Sequence, residues 1–111
     1  MADSALLKEI SIKTRVVKRL TKELACYEKE AEQECSKLES MKSKADADEY
    51  LIKKQAEVLQ ESQQMIPDCK RRIERAVDEL KKIIEGSLST IEGTKELEEA
   101  QAQLEAVSDM K

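Results

Sequence analysis

The first part of the chain repeats apolar or small side chains at alternating steps of three and four residues. Ile10, Val17 and Leu24 belong to this repeat, which has the period of one face of an α-helix. Glu34 falls at a position where the repeat requires an apolar group, so the stripe is imperfect. The pattern predicts a first long helix over roughly residues 5–43.

A second stripe of the same kind follows a short polar segment, in which Asp46 or Asp48 can cap the next helix. The stripe runs without a slip over residues 52–83. Gly86 is placed to end the helix, because glycine is the usual residue just past a helix C-terminus. The pattern predicts a second long helix over about residues 48–85.

A third and shorter stripe occupies residues 97–107, after the Ser- and Thr-rich linker 86–93, and predicts a helix over about 94–108. Short connections make successive helices antiparallel neighbours. We therefore expect an all-α fold, an antiparallel three-helix bundle with left-handed, coiled-coil-like packing, as one domain over 1–111. The short third helix should cover only one end, leaving roughly residues 28–65 as a two-helix hairpin with less sheltered apolar groups.

Proline and cysteine modify this picture locally. Pro67 lies inside the second stripe, where a proline removes an amide donor and clashes with the preceding turn, so we expect a bend there. Cys26, Cys35 and Cys69 are odd in number and lack CxxC spacing, which suits neither a disulfide scaffold nor a zinc site. We expect them to be small buried apolar groups; alternatively, Cys26 and Cys69 face each other across two helices.

Composition agrees with a helical protein. The 111 residues are 40% charged and 2% aromatic, with 2 Gly, 1 Pro and no Trp or Phe, so aliphatic side chains must fill a single core. No apolar run reaches the roughly 20 residues that span a bilayer. We expect a soluble, cytosolic protein without a membrane partner.

Charge is nearly balanced overall, with a net value of −4, which argues against a dedicated nucleic-acid-binding protein. Its distribution is uneven, because residues 1–22 carry +4 and residues 92–111 carry −4. The basic cluster at residues 8–22 either pairs with the acidic third helix or binds a partner.

Residues for catalysis are missing from the sequence. The chain contains no histidine, the commonest general base and metal ligand, and it has no P-loop or GxGxxG motif. Its carboxylates are spaced as helix-surface partners of Lys and Arg. We therefore expect no enzyme activity, no catalytic residues, no cofactor and no metal site.

Two stretches are more specific than the stripes. The first includes Val17-Lys18-Arg19-Leu20 and Tyr27-Glu28-Lys29-Glu30-Ala31, and the second includes Glu61-Ser62, Met65-Ile66-Pro67-Asp68-Cys69 and Arg71-Arg72. With these runs, the chain from about residue 10 to 85 resembles the tubulin-specific chaperone A family, also called tubulin-folding cofactor A. Beyond Gly86 the resemblance is compositional, and the linker looks longer than the family's usual connection.

The resemblance implies a three-helix bundle that binds β-tubulin after its release from the cytosolic chaperonin and keeps it soluble until other tubulin-folding cofactors build the heterodimer. It also implies a cytoplasmic, cytoskeleton-associated monomer or weak homodimer with no catalytic step. The matched residues expected at the partner surface are Lys13, Lys18, Arg19, Lys22, Glu23, Tyr27, Glu28, Glu30, Glu57, Glu61, Asp68, Arg71 and Arg72. A structural coiled-coil adaptor or scaffold bundle is the alternative function, and an RNA-binding helical hairpin is a third.

Overall fold

Three helices make up the fold in the computed structural model, which describes residues 3–110; the ends of the predicted domain, residues 1, 2 and 111, lie outside it. The helices are α1 (Ser4–Lys42), α2 (Glu49–Ile91) and α3 (Lys95–Asp109). No strand occurs between residues 3 and 110. The prediction of an all-α, three-helix architecture is therefore confirmed.

The chain divides into two compact units. The three-helix unit contains the chain up to Thr21 and from Arg71 onward, so it combines the start of α1, the end of α2 and all of α3. The hairpin unit contains Lys22–Lys70, which is the end of α1, the start of α2 and the turn between them. The two-helix hairpin predicted over roughly residues 28–65 therefore lies within the unit Lys22–Lys70, and α3 belongs to the other unit. A single domain over 1–111 stays a prediction.

The three-helix unit has an aliphatic core. Its largest fully buried side chains are Ile10, Val17, Leu80 and Ile91. α3 contributes buried residues Leu97 and Ala100. Burying such side chains removes apolar area from water, at roughly 25 cal/mol per Å², so this core stabilises the unit without aromatic residues.

The hairpin unit has a core that includes one polar contact. Leu24, Ala31 and Leu38 of α1 are buried, and Gln55 of α2 is buried among them. The Nε2 atom of Gln55 donates to the backbone oxygen of Glu34 at 3.1 Å and to its carboxylate Oε2 at 2.5 Å. Glu34, which interrupts the apolar stripe of α1, therefore has a hydrogen-bond partner on the facing helix.

The ends of the helices agree with the predictions except at one place. α1 and α3 begin and end within one residue of the predicted bounds. Asp48 is the capping residue of α2, because its Oδ1 atom accepts from the amide of Tyr50 at 2.8 Å. α2 also continues through Pro67, and a bend at that proline stays a prediction.

The predicted end of the second helix at Gly86 is wrong. α2 continues to Ile91, and the connection to α3 is Glu92–Thr94 rather than an 86–93 linker. The Ser87 hydroxyl donates back to the Ile83 carbonyl at 2.6 Å, so it bonds within the helix instead of interrupting it. Complete burial of Ile91 stabilises the extra turns.

Gly93 is the glycine that ends α2. Its φ angle is +82°, in the left-handed region that favours glycine. Thr94 is the N-cap of α3, because its hydroxyl oxygen accepts from the amide of Leu97 at 3.3 Å. The glycine that ends α2 is therefore seven residues later in the chain than the sequence pattern predicts.

The three cysteines differ in exposure, and all are thiols rather than disulfides. Cys69 is buried, as predicted, with 2% of its surface exposed. Cys35 is half-buried and Cys26 is exposed, so the prediction of a buried group is wrong for Cys26. Its position on α1 points away from the buried stripe, and packing does not shelter it.

Candidate partner-binding site

The hairpin unit exposes a row of large apolar side chains along α2. Leu51, Val58 and Met65 are 51%, 41% and 40% exposed. They are spaced seven residues apart, close to two helical turns, so they lie on one face of the helix. A regular exposed apolar row is the kind of surface that a partner helix covers.

Charged side chains alternate with this apolar row. Lys54, Val58, Glu61, Met65 and Asp68 follow one another at steps of four and three residues, which places them on a single helical face. Glu61 is exposed and Asp68 is half-buried. We define the α2 hairpin face as Leu51, Lys54, Val58, Glu61, Met65 and Asp68.

The first turn of this face is organised around the Lys54 ammonium group. Its Nζ atom lies 5.5 Å from the centre of the Tyr50 ring and 4.0 Å from the Glu57 Oε2 atom. These exposed contacts add little stability, each about 1 kcal/mol or less. Lys54 follows Leu51 by three residues and therefore adds one positive charge near the start of the face.

The α1 residues of the hairpin unit that were predicted from the resemblance do not share one surface. Glu23, Tyr27 and Glu30 are separated by four and three residues and lie on one face, with Glu23 and Tyr27 half-buried. Lys22 and Glu28 are exposed on other sides of the helix. Tyr27 also continues the buried stripe, which explains its partial burial.

Five more of the predicted residues lie in the three-helix unit. Lys13 has a structural partner, since its Nζ atom lies 3.3 Å from the Glu79 Oε2 atom and ties α1 to α2. Lys18 and Arg19 are exposed on α1, and Arg71 and Arg72 are exposed on α2.

Some residues of the basic cluster at the start of α1 lie beside α3, and others lie on a surface of α1 that α3 does not cover. Lys8 and Arg15 line a groove together with Lys95, Glu96 and Glu99 of α3, so both signs of charge share this groove. Arg15 also lines a second groove, on the side of α1 occupied by Arg19. Both alternatives for the cluster, pairing with α3 and binding a partner, therefore keep a structural basis.

The apolar members of the α2 hairpin face were missed from the sequence. The predicted stripe runs through Ile52, Leu59 and Ile66, one position later in each heptad. The sequence does contain a signal for this row. A second apolar position precedes each of these stripe residues, at Leu51, Val58 and Met65, and it makes the apolar face of α2 wider than one neighbouring helix covers.

Two further findings bear on the kind of site. Within residues 3–110, no helix is long and apolar enough to cross a membrane. In the same part of the chain, no three His, Cys, Asp or Glu side chains are grouped as metal ligands.

The fold and the α2 hairpin face define the class, a small all-helical protein with an exposed surface of mixed apolar and charged character. Comparison with known proteins then gives the family. The chain belongs to the tubulin binding cofactor A family, whose model matches residues 5–104.

Individual relatives support this assignment over almost the whole chain. Tubulin-specific chaperone A from Gallus gallus is 52% identical over 107 residues, covering 96% of each chain. The crystal structure of tubulin folding cofactor A from Arabidopsis thaliana has a TM-score of 0.88 and 40% identity, covering 96% of this chain and 99% of that one. Human tubulin chaperone cofactor A has a TM-score of 0.78 and 48% identity, covering 93% and 98%.

Proposed function

We propose that this chain is a tubulin-folding cofactor that binds β-tubulin folding intermediates and stabilises them on the route to the α/β-tubulin heterodimer. Membership of a family named for tubulin binding supports the partner class. The chain acts by binding and release without a catalytic step, and other tubulin-folding cofactors take the intermediate onward. Its cytoplasmic location stays a prediction.

We place the contact on the α2 hairpin face, and the exposed row Leu51, Val58 and Met65 is the observation that supports this placement. A folding intermediate exposes apolar surface that the mature heterodimer buries, and a helix with an apolar row shields such surface. Covering the exposed half of each side chain contributes about 1 kcal/mol. The three together supply roughly a hundredfold in affinity, which holds a partner without preventing its release.

The carboxylates beside the apolar row favour a basic partner surface, whereas Lys54 adds one positive charge near the start of the face. Glu61, Asp68 and the neighbouring Glu57 border the apolar row on the same side of α2. Carboxylates at the rim of an interface favour basic partners and repel acidic ones, so they select the partner more than they strengthen binding. Raised salt should therefore weaken capture less than loss of the apolar row does.

The test measures capture of newly synthesised β-tubulin. The tagged chain is added to a translation lysate that contains the cytosolic chaperonin, and co-purified β-tubulin is compared with α-tubulin. The double variant Val58→Ser/Met65→Ser removes two members of the row. Leu88→Ser/Met110→Ser is its matched control, because these apolar residues are 47% and 50% exposed but lie outside the face.

We expect the Val58/Met65 variant to lose capture about tenfold or more, since two buried contacts disappear. The Leu88/Met110 control should capture as the parent does, and α-tubulin should not be retained. Equal capture by both variants would refute the placement on the hairpin face. Absence of β-tubulin capture by the parent chain would refute the function itself and favour an adaptor or scaffold role.

A further inference from the structure

The start of α1 has a second apolar surface on the side away from the core. Ile12, Val16 and Arg19 are separated by four and three residues and share one face. Each follows by two residues a buried member of the core stripe, namely Ile10, Thr14 or Val17. Two residues correspond to about 200° around a helix, so this face is opposite the buried one.

This outer face is not the polar surface that an amphipathic helix normally presents to water. Ile12 is 45% exposed, and Val16 beside it is half-buried. The two side chains lie with Arg15 and Arg19 along a shallow, widely open depression on α1, which we call the α1 outer groove.

The two arginines are placed to receive carboxylates over the apolar floor of the groove. The Nε atom of Arg15 donates to the carbonyl of Ser11 at 3.5 Å, which uses one of its five N–H donors. Arg19 has an interaction within the structure as well. A guanidinium has five N–H donors, so one internal contact is compatible with binding an additional carboxylate.

On another side of α1, basic residues lie beside the third helix of the same chain. On the neighbouring flank, Lys8 and Arg15 line a groove of about 470 Å³ with α3. The α3 residues on that groove include Glu96 and Glu99, two carboxylates about one helical turn apart. The helix beside that basic flank is acidic overall, and Lys95 lines the groove together with its two carboxylates.

We propose that the α1 outer groove, formed by Ile12, Arg15, Val16 and Arg19, binds an acidic amphipathic helix of a partner protein. The partner helix places an aliphatic side chain on Ile12 and Val16 and two carboxylates, one turn apart, on the arginines. Arg15 and Arg19 are four residues apart, about 6 Å along α1, which matches that spacing. This inference is independent of the proposed tubulin function.

The experiment titrates the ¹⁵N-labelled full chain with a synthetic helical peptide of about 18 alanine-rich residues, capped at both ends. The peptide has two glutamates four residues apart and a leucine three residues after the first. A second peptide has glutamines in place of the glutamates. The variant Arg15→Gln/Arg19→Gln is compared with Lys81→Gln/Lys82→Gln, which removes the same charge from exposed positions on α2.

We expect the acidic peptide to shift the amide signals of residues 12–19 and the glutamine peptide to bind at least about tenfold more weakly. The arginine variant should lose about tenfold in affinity, and the lysine control should stay within about twofold of the parent. Ile12→Ser should weaken binding with the charges intact, because the apolar floor is lost.

Three outcomes would overturn the proposal: no localised shifts, equal binding of both peptides, or shifts that map outside the groove. A fourth would also do so. If the same amides shifted with protein concentration in the absence of peptide, the groove would be occupied by a second copy of the chain. If the parent chain bound the acidic peptide but captured no β-tubulin, the proposed function would be refuted and this inference would stand.

Discussion

Replacement of Gly86 by alanine should stabilise the protein, because α2 continues through this position. A helical glycine is about 0.8–1.0 kcal/mol less favourable than alanine, since glycine loses more backbone entropy on folding. A methyl group on Gly86 would meet no other heavy atom within 4 Å, so no steric clash offsets the gain. For a chain of this size the change raises the Tm by roughly 4 °C.

Gly93→Ala is the control for this prediction and should have the opposite effect. The φ angle of Gly93 is +82°, a conformation that costs alanine about 1–2 kcal/mol. The cost comes from the backbone alone, because the space around Gly93 is open. Both variants are measured by urea and thermal unfolding, followed by circular dichroism at the helical minimum. A lower Tm for Gly86→Ala would refute a continuous helix and restore Gly86 as the end of α2.

Three other predictions concern the same regions. Ile91→Ala should lower the free energy of unfolding by about 2–4 kcal/mol, because Ile91 is fully buried. Leu88→Ala, on the exposed side of the same helix, should change it by less than about 0.5 kcal/mol. Urea unfolding measures both changes. Thr94→Ala should remove about 1 kcal/mol by loss of the helix cap; an unchanged unfolding midpoint would contradict the capping role. In the native protein, a thiol reagent should label the exposed Cys26 first and should label the buried Cys69 only when the hairpin unit opens. Equal labelling rates of the two thiols, measured by mass spectrometry, would contradict this burial.

The sequence identified most of the fold because local periodicity and core burial are closely linked in a helical protein. Every helix of α1–α3 was predicted, and Val17, Leu38 and Leu80 are buried as their stripe positions indicated. The exception was the end of α2. Local helix-stop residues at 86–90 are weak signals, and they were outweighed by burial of Ile91, which depends on packing within the three-helix unit.

The candidate site was less predictable, for a physical reason. Exposure of a side chain depends on what packs against its helix. The family resemblance therefore predicted charged candidates such as Glu61 and Asp68, but it did not predict the exposed apolar row beside them. Lys13 looked like a surface cation until the structure placed it against Glu79.

The sequence alone therefore determined the helical class, the number and order of the helices and the resemblance to tubulin-folding cofactors. These properties are encoded in short-range periodicity and in contiguous runs of residues. Tertiary structure alone decided where α2 ends, which cations pair internally, and which apolar residues stay exposed at Val58 and Ile12. Those properties depend on contacts between residues distant in the chain, which a local pattern does not contain.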